Sequence, residues 1–147
     1  MEYRYLYMAK RIDNGEWVEG FYCKRKTRHY DNIGFHDEYK DYIIVEFSYG
    51  GIAFYNVDQT TICQCTGLKD KNGKLIWEND IVGFWDTYST ENGYAEADCI
   101  GKVVWDDETI SFQVTNRLSA ESYEVLDECS VIGNIFDNKE MLESEEN

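Results

Sequence analysis

An alternation of period two constrains this chain more than any other feature. In Ile110-Ser111-Phe112-Gln113-Val114-Thr115 the apolar side chains fall on every second position, and an extended strand places such a set on one face. Short runs rich in β-branched and aromatic residues recur at 3–7, 17–22, 43–47, 52–57, 61–65, 81–85, 100–105 and 130–135, and strands are expected at each. Between them stand Asn14-Gly15, Tyr49-Gly50-Gly51, Asn72-Gly73 and Glu91-Asn92-Gly93, residues that tolerate the positive φ of tight reversals. The chain has no proline, so its turns rest on Gly and Asn. A mainly β fold follows, as a sheet or a barrel.

The remaining bulk properties bound this fold. The 147 residues are one ordinary domain's worth, at about 100–200 residues per domain. A 43% apolar content is too high for wholesale disorder despite a net charge of −15. Residues 1–62 read as an N-terminal β portion and 63–147 as a C-terminal one, expected to form one compact unit because some sixty residues make a poor independent core. Asp137 and Glu140 suit the start of a short helix containing Met141 and Leu142. No apolar run approaches the roughly 18 residues of a membrane span, and Met1-Glu2-Tyr3-Arg4-Tyr5 is no secretory leader, so a cytoplasmic protein is expected. The five cysteines, 23, 63, 65, 99 and 129, are an odd number, for which free thiols are the expectation.

Charge is unevenly spread. The first forty residues carry eight basic and seven acidic side chains, so the acid excess belongs to the rest. Such a surface repels phosphate backbones and attracts basic protein surfaces.

The densest stretch runs Thr66-Gly67-Leu68-Lys69-Asp70-Lys71-Asn72-Gly73-Lys74-Leu75-Ile76-Trp77-Glu78-Asn79-Asp80-Ile81-Val82. Asp70 to Lys74 reads as a polar tip reversed at Asn72-Gly73, Leu68 and Ile76 as returns to the core, and Asn79-Asp80 as a second turn. Together with Gly101-Lys102-Val103-Val104-Trp105-Asp106-Asp107 and Val131-Ile132-Gly133-Asn134-Ile135-Phe136-Asp137-Asn138, in that order, this stretch resembles the YopX family of phage and prophage proteins. Trp17-Val18-Glu19-Gly20-Phe21-Tyr22 and the segment from Val57 to Cys65 extend the resemblance over nearly the whole chain. Asn79 departs from the family, which usually has Gly there, but Asn also tolerates a left-handed turn. The resemblance implies a C-terminal half similar to a small SH3-like β-barrel, with the N-terminal β portion packed against it and a short C-terminal helix. It implies a bacterial host cell and no established biochemical activity. Gly67, Leu68, Asp70, Gly73, Asp80, Val82, Trp105, Gly133 and Asn134, which match its recurring residues, read as turn and core residues, and no catalytic role carries over.

Three constellations carry chemistry on paper. Cys63 and Cys65 share a strand face and would need Cys23, Cys99, Cys129, His29 or His36 to complete a metal site, at a spacing unlike structural zinc pairs; buried thiols are the expectation. Cys23 with His29 is a possible nucleophile and base, but no Gly-x-Ser-x-Gly elbow or comparable device supports catalysis. Asp106, Asp107 and Glu108 offer oxygen ligands for a cation, but between Trp105 and Ile110 a solvated turn is the favoured reading. Phosphate-cradling glycine loops are missing. The expectation is therefore a protein that is no enzyme and has neither cofactor nor metal.

Two stretches suit partners. Trp85, Asp86, Tyr88, Glu91, Tyr94, Glu96 and Asp98 combine aromatics with carboxylates in a polar stretch between two strands, a candidate surface for a host or phage protein. Lys24, Arg25, Lys26, Arg28 and Tyr30 form a basic patch with aromatic neighbours, the alternative being a nucleic-acid-binding regulator. The acid excess elsewhere favours the first. Self-association through exposed edges is open, and no membrane partner is expected.

Overall fold

The computed structural model describes residues 5–116 and 128–145. It is mainly β, and the chain divides into two compact units, Glu2–Gln64 and Cys65–Asn147 with Met1.

In the first unit the strands are β1 (Tyr7–Lys10), β2 (Trp17–Tyr30), β3 (Phe35–Glu46) and β4 (Ile52–Asn56), followed by a single 3-10 turn, Gln59–Thr61. The opening residues of β5 (Cys63–Lys69) complete an antiparallel order β4-β3-β2-β1-β5, with Tyr7 opposite Gln64 and Met8 opposite Cys63. Asn14-Gly15 makes the first reversal: Gly15 has φ +71° and donates its N–H to the Arg11 carbonyl at 2.9 Å. Ala9, Ile43 and Val57 are buried at the centre, ringed by Tyr7, Val18, Tyr22, Val45, Tyr55 and Ile62. The expected strand at 3–7 begins instead at Tyr7, and residues 1–4 lie outside the described set.

In the second unit the rest of β5 pairs with β6 (Leu75–Trp77), and a four-stranded antiparallel sheet runs β10-β7-β8-β9. Its members are β7 (Asp80–Thr90), β8 (Gly93–Asp106), β9 (Ser111–Val114) and β10 (Ser130–Asn134), and α1 (Glu140–Glu145) follows. Ile76, Val82, Phe84, Cys99, Val103, Val114 and Cys129 form the core, with Ala97, Phe112 and Val131 against it. The SH3-like barrel implied by the resemblance is not closed among the described residues. The sheet ends in edges β10 and β9, of five and four residues, while β7 and β8 spend their length on each other in ten cross-strand pairs.

Local chemistry accounts for the details. Leu68 is exposed rather than a return to the core: Gly67, at φ +82°, sits in the register shift between Cys65 and Lys69, and the bulge re-aims the following side chain. Asn79 keeps the left-handed turn at φ 72°. Gly101 must lack a side chain, since a Cβ would sit 2.1 Å from the Thr115 carbonyl oxygen. Gly133 leaves room for Asn138, whose Oδ1 accepts the Asn134 N–H at 3.2 Å. Asp137 takes the Asn134 side-chain amide at 3.2 Å, and the helix starts three residues later.

Asp106, Asp107 and Glu108 form the turn between β8 and β9. Asp106 accepts from Glu108 N and Thr109 Oγ1, and Asp107 from the Trp105 indole N–H. The turn closes on Ile110, a β-branched residue at φ 54° with its side chain in solvent, a conformation that costs such a residue roughly 1 kcal/mol. Ile110→Asn is therefore expected to stabilise the protein by about 0.5–1 kcal/mol, read as a raised thermal midpoint. An unchanged or lowered midpoint would show that the strain is absent.

Candidate functional site

Two ribbons project from the sheets, one in each unit, and they hold both sets of candidate partner-binding residues. The stretch Asp86 to Asp98 is not a loop between strands but the strands themselves. Beyond Phe84 and Cys99, β7 and β8 are paired only with each other among the described residues, around a turn at Glu91-Asn92. At about 3.4 Å per residue this ribbon is roughly 20 Å long.

Pairing sorts its side chains into two faces. Trp85 stands opposite Asp98, Thr87 opposite Glu96 and Ser89 opposite Tyr94. Trp85 is 66% exposed and Tyr94 84%. The other face carries Asp86 opposite Ala97 and Tyr88 opposite Ala95. Asp86 is buried there, its Oδ1 accepting the Thr87 N–H at 3.0 Å, so it is withdrawn from any contact surface. Trp85, Glu96, Asp98 and Tyr94 thus share a face, Glu91 marks the tip, and Tyr88 lies behind. No Lys or Arg occurs from residue 84 to 99.

At the base of the exposed face lies a depression of about 320 Å³. Trp85 and Asp98 line it together with Ile100, Lys71, Glu128 and Ile132. The last three escaped sequence reasoning, because their sequence separation from the ribbon gives no local signal. They are brought there by a knot on the Asp70–Lys74 turn. Asp70 Oδ1 accepts the N–H groups of Asn72 and Lys74, both at 2.9 Å, and Oδ2 that of Val131 at 2.9 Å. Lys71 N–H donates to the Cys129 carbonyl at 3.0 Å, and the Asn72 amide to Ser130 Oγ at 3.0 Å. Burial works to raise the Asp70 pKa, but the three backbone donors and the nearby Lys74 charge outweigh it and hold the carboxyl below the ordinary range.

The basic run is likewise a strand rather than a hairpin tip. Lys24 to Tyr30 pair with residues 35–41, and Asp31 to Gly34 make the reversal. Alternation divides the patch, with Lys24, Lys26, Arg28 and Tyr30 on one face and Arg25 on the other. Arg28 is committed to Asp37 at 2.9 Å and stacks over Phe35 at 3.9 Å. That guanidinium bond lowers the Asp37 pKa against the opposing effect of burial. Lys24 lies over Tyr39, and Arg25 over Tyr42 and Phe54.

The catalytic and metal constellations do not assemble. Cys23 and His29 are six residues apart on one strand, some 20 Å in extended chain, and His29 stacks instead on His36. Cys63, Cys65, Cys99 and Cys129 are buried and form no disulfide. Among the described residues no three His, Cys, Asp or Glu side chains are placed to hold a metal ion. Nor is any described helix long and apolar enough to cross a membrane.

The family profile described as YopX protein matches residues 8–143. The chain belongs to the YopX family. A search of the curated proteins finds no match. Among solved structures this YopX-family chain is similar to the crystal structure of protein EF1440 from Enterococcus faecalis, 24% identical over 92% of this chain and 96% of that one, at a TM-score of 0.46. Several of the residues that the resemblance matched to recurring positions serve architecture. Asp70 ties its turn to β10, and Asp80 Oδ2 accepts the Trp77 N–H at 2.8 Å. Val82 is core, and Trp105 packs edge-on to Phe112.

Proposed function

We propose that this YopX-family chain is a non-enzymatic binding module of phage or prophage origin whose acidic β7–β8 ribbon holds a basic protein surface. The observation that carries this reading is the cross-strand pairing of Trp85 with Asp98 on a ribbon without a single cation, at a depression they share with Glu128 and one cation, Lys71. An indole beside two carboxylates suits a Lys or Arg side chain: the ring face attracts the cation, and the carboxylates supply charge-assisted hydrogen bonds. Ile100 and Ile132 offer apolar wall to its methylene stem. Tyr94, on the same face toward the tip, adds a second aromatic anchor of the kind that dominates interface energetics.

Capture of bacterial host proteins on the tagged chain, with nuclease present, tests the reading in a bacterial lysate. The wild type is compared with a Trp85→Ala/Tyr94→Ala variant and a Glu96→Gln/Asp98→Asn variant. Each is expected to lose at least tenfold of the nuclease-resistant protein held by the wild type, since buried aromatic and charged anchors contribute roughly 2 kcal/mol or more each. The wild-type association is expected to weaken between about 100 and 500 mM salt. Association unchanged in both variants overturns the reading.

A further inference from the structure

The β2–β3 ribbon hides a charge imbalance behind a near-neutral composition. Residues 24–41 hold five Lys and Arg side chains and four carboxylates, but every one of those carboxylates is engaged locally. Asp31 Oδ1 accepts the N–H groups of Ile33 and Gly34. Asp37 takes both arms of the Arg28 guanidinium, and Glu38 lies 3.0 Å from His29 Nε2. Asp41 is buried and accepts the Tyr22 hydroxyl. Among the described residues Lys24, Arg25, Lys26 and Lys40 have no carboxylate partner. The tip is apolar: Ile33 is 97% exposed, with Tyr30 and Phe35 exposed beside it. A two-stranded ribbon is marginal in water on its own, and an exposed apolar end on such a ribbon marks a contact surface.

We infer that this ribbon is the surface on which the acidic β7–β8 ribbon of a second copy of the chain docks. The inference rests on the reading of that acidic ribbon as a site for a basic protein surface, and it names the surface. Charge complementarity carries it. One ribbon presents cations without carboxylate partners, Lys24 and Arg25 resting only on aromatic rings, and no unengaged carboxylate, and the other presents Glu91, Glu96 and Asp98 with no cation at all. The Trp85 depression, where Asp98 and Glu128 outnumber Lys71, suits a long cationic side chain, and Lys24 and Lys26 supply two from one face of the ribbon. Reciprocal docking of the two ribbons closes a two-fold dimer, and head-to-tail docking continues into rings or open chains.

Sedimentation velocity of the full chain from about 10 to 200 µM, in about 50 and 500 mM salt, tests this. The wild-type sedimentation coefficient is expected to rise with concentration at low salt and to stay flat at high salt. Lys24→Glu/Arg25→Glu/Lys26→Glu and Glu91→Lys/Glu96→Lys/Asp98→Lys variants are each expected to associate at least tenfold more weakly. An equimolar mixture of the two is expected to associate again, since one then carries two acidic ribbons and the other two basic ones. Circular dichroism checks the fold, and the milder Lys24→Gln/Arg25→Gln/Lys26→Gln variant replaces the first if it does not fold. A monomeric wild type, association indifferent to both swaps, or a mixture that stays apart each overturns the inference. So does a monomeric wild type that binds a twenty-nucleotide duplex or single strand through Lys24 to Lys26. Captured partners that still depend on Trp85 and Tyr94 in a monomeric protein would overturn the second copy while leaving the proposed function standing.

Discussion

Replacing Asp70 by Ala is expected to cost the protein about 3–5 kcal/mol of unfolding free energy, a large share of the roughly 5–15 kcal/mol typical of a domain. The carboxylate is buried and accepts three backbone N–H groups, two from its own turn and one from Val131 in β10, 61 residues away. Hydrogen bonds to a charged group are worth about 1.5–3 kcal/mol each, and donors left without a partner add their own desolvation cost. Asp70→Asn keeps an oxygen for Asn72 and Lys74 but turns an NH2 toward Val131, so a loss of about 1–2 kcal/mol is expected. Urea unfolding of both variants checks this, and a loss below about 1 kcal/mol for Ala would show that the knot contributes little. The same loss is expected to weaken capture through Trp85, because Glu128 and Ile132 reach the depression from the chain that Asp70 secures.

The second large effect is one of pH. Burial pushes the Asp80 carboxyl up to about 7 against the opposing pull of the Trp77 N–H and Lys74, and nearby Asp70 adds a smaller repulsion. Between the ordinary value near 4 and the folded value, the native state binds the proton that the unfolded chain has released, so stability falls as pH rises through this window. The contribution is complete below about pH 4 and fully lost above about pH 7. At about 1.4 kcal/mol per pH unit it is on the order of 4 kcal/mol. Asp70 has the opposite sign: its carboxyl lies below the ordinary range, so the stability it supplies is lost only as the solution becomes strongly acidic. A stability maximum in mildly acidic solution follows. Asp80→Asn retains an acceptor for Trp77 and cannot ionise, so the difference between wild type and variant is expected to change by a few kcal/mol between pH 5 and pH 8, in favour of the variant at the higher pH. Denaturation at three pH values measures it, and a difference that stays constant with pH would place the Asp80 titration elsewhere.

The elements legible in the sequence were those with one face in a core. Phe84 of β7, Val103 of β8 and Val114 of β9 alternate with more exposed neighbours because one side of the sheet there faces the core. The Gly15 and Asn79 turns were legible for a different reason, since few residues accept their positive φ. The outer halves of β2, β3, β7 and β8 were not legible. Both faces of each ribbon are largely solvated, so Lys24 to Tyr30 and Thr87 to Tyr94 carry no apolar period and look like loops. The misplacement of Leu68 came from the bulge at Gly67, which shifts the face of every side chain after it.

By itself, then, the amino-acid order determined a mainly β chain, the sites of its tight turns and an acid excess outside the first forty residues, because each of these depends on local pattern or simple composition. Tertiary structure alone decided which charges are free. Asp86 and Asp41 were withdrawn by burial, Asp31, Asp37 and Glu38 were taken up by neighbours across a reversal, and Glu128 and Ile132 were delivered to Trp85 by the hydrogen bond from Val131 to Asp70. Pairing across strands sets each of these outcomes, and it joins residues whose separation along the chain carries no local signal.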